Sequence, residues 1–191
     1  MKKYCLTDET MKNDSGATLH RIQALIDIPR AFVKAGDRGG WIEKEENLSH
    51  EGICWVGNEA KVHGNAKIFD DAMISGSAEV FDNASVFGNA KVLDEAKVYG
   101  YARVFGNAVV SSSAEAYDYA QVCGDADVFC SARVSGNAEV SGHAMICDWA
   151  EVSGEAKIYG EAEVFGKAKI SGNDEVFNER VTAVFNQLIY S

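Results

Sequence analysis

The chain has 191 residues, with 18 Lys and Arg against 29 Asp and Glu, a net charge of −11. That length suffices for one domain, and so acidic a surface repels phosphate backbones, which argues against a nucleic-acid partner. No apolar run is long enough to span a bilayer as a helix and no signal peptide is recognisable, so the expectation is a cytoplasmic protein with no membrane partner.

Residues 1–53 read as a β-rich N-terminal segment. Ile22, Ala24, Ile26 and Ile28 alternate with polar or differently facing residues, the period of a strand. The stretch from Lys3 to Asp8 can pair with it, and Asp14-Ser15-Gly16 reads as the turn between them. Gly36 and Gly39-Gly40 predict further turns before Trp41.

From Ala60 to Ala168 an alanine stands at every sixth position, nineteen times. Val or Ile follows two residues later at each, except where Ala116 stands, which reads as a local packing defect. Residues two apart in an extended strand point to the same side. The positions between one Val and the next Ala are mostly Gly, Asp and Asn, as in Gly64-Asn65, Gly88-Asn89 and Gly136-Asn137. These residues tolerate left-handed backbone angles. A bend every six residues between very short strands predicts a coil rather than hairpins, with Ala and Val stacked inside it.

The run Val62-His63-Gly64-Asn65-Ala66-Lys67, repeated, resembles the hexapeptide-repeat proteins. That resemblance implies an all-β fold, a left-handed parallel β-helix in which three units make one triangular turn of 18 residues. It spans about Val56 to Val176, whose twenty-one inward positions make seven turns. The division expected is therefore a cap over 1–53, a coil over 54–177 and a C-terminal segment over 178–191. A solenoid end exposes unpaired strand edges, so covering one is the natural role of the first segment. Lys34-Ala35-Gly36, Gly39-Gly40-Trp41-Ile42, Asn47-Leu48-Ser49 and Cys54-Trp55 extend the likeness. They are similar to the ydcK-type hexapeptide-repeat proteins of bacteria and phages, a group that carries a transferase label. In the C-terminal segment, Val181, Val184, Phe185, Leu188 and Ile189 fall at helical spacing, predicting an amphipathic helix capped by Asn178.

A period of 18 sorts the outward residues into columns. Lys61, Glu79, Lys97, Glu115, Arg133, Glu151 and Lys169 alternate in sign at every step, a solvated ladder of ion pairs. Beside it run Phe81, Tyr99 and Tyr117. Phe69, Phe87 and Phe105 share another column with Cys123, Ser141, Tyr159 and Phe177, and Leu93, Phe129 and Phe165 a third. Apolar stripes on an outer face mark contact surfaces. The six residues Phe69, Phe87, Phe105, Phe81, Tyr99 and Tyr117 are accordingly the expected interface. Five cysteines, no two of them 18 apart, give no stacked disulfide ladder and fit a reduced compartment.

Hexapeptide-repeat acyltransferases use a histidine as general base, often in or near a loop extruded from the coil at a cleft between subunits of a trimer. This chain departs from that pattern: no loop interrupts the spacing between Val56 and Val176, and the only coil histidines, His63 and His143, are 80 residues apart and share no column. They are the weak catalytic candidates. No metal-ligand cluster, phosphate loop or cofactor motif is visible. The expectation is a non-catalytic binding or scaffold protein. Its partners would be further copies of itself, a trimer by resemblance, or a basic protein surface, as for an acidic phage-type inhibitor. The alternative is an acyl-CoA-dependent acyltransferase.

Overall fold

The computed structural model describes residues 1–184 and 187–190. It shows a parallel β-solenoid with three flat walls. Face one carries Lys61–Val62 and the strands stacked on it, face two Lys67–Ile68 and face three Met73–Ile74. Each strand pairs in parallel with the one 18 residues on, as Lys61↔Glu79 and Val62↔Val80. The walls are held by main-chain bonds between turns, such as Lys61 N–H to Ala78 O (2.9 Å) and His63 N–H to Val80 O (3.1 Å).

All nineteen repeat alanines are fully buried, and so are the Val and Ile residues that follow them, Ala116 included. Its strand keeps register with Arg133–Val134. At many corners the left-handed residue is Asp. The Oδ2 atoms of Asp70, Asp82, Asp94, Asp118 and Asp148 accept from the backbone N–H 18 residues on, at 3.0–3.2 Å. That N–H belongs to the corner residue of the next turn, and the carboxylate supplies its acceptor.

Face one contains eight parallel strands from Arg38–Ile42 to Lys169–Ile170, so the coil has eight turns, one more than the six-residue period reveals. Ile42, Leu48 and Val56 point inward in the first turn, and all are fully buried. Trp41 pairs with Lys61, Leu48 bridges Ile68 and Trp55 pairs with Met73. The inward spacing there is six then eight, and the two extra residues bend between Ser49 and Ile53. The boundary expected at residue 53 thus falls inside a turn of the coil.

Strand β1 (Tyr4–Lys12) pairs antiparallel with β2 (Thr18–Ala24), and β2 with β3 (Arg38–Ile42), extending face one upward as one ten-stranded sheet. The turn lies at Asp14-Ser15-Gly16 as expected, with Gly16 at φ +85°. Ile28, by contrast, lies outside β2 and bridges Val33. Gly39 and Gly40 are not turn residues either. They lie within β3, where a Cβ on Gly40 would sit 2.5 Å from Ala60 O and one on Gly39 2.5 Å from the Ile22 side chain. Glycine marks close backbone approach here. Lys3 is buried, and its ammonium donates to Glu51 O, Gly52 O and Cys54 Sγ at 3.1–3.4 Å, tying the N-terminus to the first turn.

The C-terminal helix is a misreading. Arg180–Val184 pairs in parallel with Glu163–Gly166, and Gln187–Tyr190 returns antiparallel to it. The open edge of the last face-three strand offers unpaired backbone groups, and Val181, which is fully buried, continues the interior column below Val164. Pairing across turns overrides the local period. Asn178 caps no helix: it is a left-handed corner residue (φ +53°) whose Oδ1 accepts from Glu161 N–H at 2.8 Å. Phe185 lies outside the described residues.

Candidate functional site

The coil brings the expected aromatic columns into register. Phe69, Phe87 and Phe105 stack with centroids 4.8 and 5.0 Å apart and planes within 4° of parallel. Phe81, Tyr99 and Tyr117 stack likewise at 4.9 and 5.0 Å, with planes within 5° of parallel. The ring spacing is close to the strand spacing, because each side chain stands over its neighbour one turn away. All six rings are half-buried. Their faces cover one another and their rims look outward. Tyr99 also donates its hydroxyl to Glu115 at 3.2 Å, and burial, then the Glu115 charge, push its pKa up to about 12.

A third ladder escaped sequence reasoning. Tyr101 and Tyr119 stack at 5.1 Å on the corner between faces one and two, and they are 54% and 59% exposed. Their separation of 18 was the available signal, masked because that corner column otherwise holds Asn65, Asn83 and Asn137. Arg103, two residues past Tyr101, lies 5.3 and 5.4 Å from the Phe87 and Phe105 ring centres, a cation–π arrangement. These rings therefore cluster on face two and its leading edge in turns two to five. Below them the columns pass to Ser135 and Ser153, and to Cys123 and Ser141, after which the Phe105 column resumes with Tyr159 and Phe177, stacked at 5.0 Å.

His63 heads the Phe81 ladder, its ring 5.3 Å above Phe81 and 10° from parallel. The β1–β2 turn overhangs it, enclosing an open groove of about 500 Å³ lined by Asn13, Ser15, Glu43, Glu79 and Lys97 among others. His63 Nδ1 lies 3.2 Å from Asn13 Nδ2, and its Nε2 lies 3.0 Å from Glu79 Oε1. An amide nitrogen can only donate, so Nδ1 accepts and the Nε2–H donates to Glu79. That bond holds the Glu79 carboxyl below the usual carboxylate range against the opposing cost of its burial. A general base needs a lone pair facing its substrate. Both His63 nitrogens are already engaged, which makes the residue a clip between cap and coil.

His143 stands at a corner between faces two and three, its side chain 70% exposed, with Nδ1 3.8 Å from Asp125. The fold does not bring it near His63. Among the described residues no group of three or more His, Cys, Asp or Glu side chains is placed to hold a metal ion. A scan against family models and a search of curated proteins each find no match to this chain.

Proposed function

We propose that this chain is a non-catalytic binding or scaffold protein that docks through the aromatic edge between faces one and two. The observation that carries the reading is that three stacked ladders, those of Phe69, Phe81 and Tyr101, lie side by side on one edge over turns two to five. Below these rings the Phe81 column continues as Ser135 and Ser153, the Tyr101 column as Asn137, and the Phe69 column as Cys123 and Ser141 before its rings resume at Tyr159 and Phe177, so the three ladders adjoin only on this stretch. Flat rims of half-buried Phe beside the exposed Tyr101–Tyr119 pair offer an apolar, amphipathic contact surface. The first partner is a second copy of the chain, with a trimer preferred from the resemblance to hexapeptide-repeat proteins. The charge of −11 favours a basic protein surface as the other partner class. Capture of such a partner should collapse at high salt.

The competing reading is an acyl-CoA-dependent acyltransferase, and the groove at His63 is what favours it. Its test is direct. Incubation with acyl-CoA donors and amine or hydroxyl acceptors should give no turnover. Turnover lost in His63→Ala or His143→Ala would replace the binding reading with the enzymatic one.

A further inference from the structure

We propose that Cys130 and Cys147 form a paired oxidation site, in which a small-molecule disulfide closes them into an intrachain bond that staples two successive turns of the coil. This goes beyond the binding reading and does not depend on it.

The register places the pair. Val128 lies opposite Ile146, so Phe129 stands over Cys147 and Cys130 over Asp148. Cys130 and Cys147 are thus one strand apart along the coil and one residue apart along the chain direction. With strands about 4.8 Å apart and a rise of about 3.3 Å, their Cα atoms lie about 6 Å from each other. That falls within the range of about 4.4–6.8 Å that a disulfide spans.

The direction of the Cys130 side chain follows from its corner. Cys130 has φ +59°, matching Asp94 (φ +60°) and Asp148 (φ +60°) in the same column. Both of those carboxylates reach toward the next turn, to Ser112 N–H and Gly166 N–H at 3.0 Å. The same conformation aims Cys130 at the backbone of Asp148, beside Cys147. Both thiols are free and partly exposed, so a small reagent can reach them. Burial, then the Asp148 charge, raise the Cys147 thiol to about 11, so Cys147 is the poorer choice to make the first attack.

In the first step the Cys130 thiolate attacks one sulfur of the small disulfide. An S–S bond forms at Cys130, the reagent's bond breaks, and one small thiol leaves with the proton that Cys130 gave up. The Cys147 thiolate then attacks the Cys130 sulfur and expels the second small thiol, which takes up the Cys147 proton. Two protein thiols are oxidised and one disulfide is reduced.

The test is to incubate the folded chain with glutathione disulfide, remove the reagent, unfold the chain in the presence of an alkylating agent and weigh it. Of the five thiols, three should remain alkylatable, with no glutathione attached. Cys123→Ser, which alters face two only, should still lose two thiols. Cys130→Ser and Cys147→Ser should each abolish the intrachain bond. Both variants should fold, because Ser112 occupies the Cys130 column and Ser75 and Ser111 the Cys147 column. Retention of all five thiols, a stable mixed disulfide with glutathione, a bond that survives either variant, or covalent dimers on a non-reducing gel would each overturn the proposal.

Discussion

At the scale of single residues, the coil rests on two size rules. The interior alternates a methyl near the corner with a β-branched side chain along the wall, and both are fully buried throughout the repeat. Ala108 lies in the middle of that column. Replacing it with Leu adds three carbons where the walls converge, and should cost roughly 1–3 kcal/mol or more, read from urea denaturation. The second rule governs the corners. Asp118 has φ +57° and accepts from Gly136 N–H at 3.1 Å. Asp118→Ala loses that acceptor while keeping a Cβ in a left-handed conformation that costs about 1 kcal/mol or more. Asp118→Gly loses the acceptor but relieves the backbone. The Ala variant should therefore be the less stable of the two by thermal denaturation; the reverse order would remove the left-handed backbone as the controlling factor at this corner.

At the scale of elements, the N-terminal cap is joined to the coil both by β3 and by a small polar clip. Asn13 uses its amide nitrogen on His63, while its Oδ1 accepts from Ser15 Oγ (2.9 Å) and Ala17 N–H (2.8 Å). One side chain therefore shapes the β1–β2 turn and fastens it. His63→Ala should speed amide exchange at Ala17 by on the order of fivefold, the value of about one hydrogen bond, and leave amides in the lower turns unchanged. Glu79 adds a pH dependence. Its folded pKa lies below its ordinary value of 4.5, so its contribution is present above that value and is lost as pH falls through the folded pKa. Wild type should exceed Glu79→Gln in melting temperature at neutral pH, and the gap should close below about pH 4.5. A gap that persists in acid would remove Glu79 ionisation as its cause.

At the scale of the whole molecule, the aromatic edge bears on assembly. Each stripe buries most of its area within its own chain, so a subunit contact gains chiefly from the exposed Tyr101 and Tyr119 and from the ring rims beside them. Light scattering should find an oligomer for the wild type and smaller species for the Tyr101→Ser, Tyr119→Ser double variant. These two positions are better probes than Phe87, whose ring is sandwiched between two others, so that a charge there would disturb the stack itself. A monomeric wild type would reject self-association. An oligomer indifferent to the double variant would move the interface elsewhere, face three being the next surface to test.

The amino-acid order by itself determined the repeat. An unbroken spacing of six with Ala and Val in phase admits one kind of stack, so the core, the columns and the charged ladder were legible residue by residue. The β1–β2 hairpin and its turn were legible too, because Asp-Ser-Gly carries a local signal. Tertiary structure decided everything that depends on pairing across turns. The first turn is invisible to the period because two residues bulge between Leu48 and Val56. The C-terminal segment has helical spacing but meets an open strand edge, and backbone pairing outweighs periodicity. Asn13, His63 and Glu79 are far apart in sequence or fall outside a common column, and only the overhang of the cap joins them. Cys130 and Cys147 miss the 18-residue spacing by one, and only the left-handed corner turns the first toward the second. Local order sets which way a side chain faces; what it meets there depends on how the turns stack.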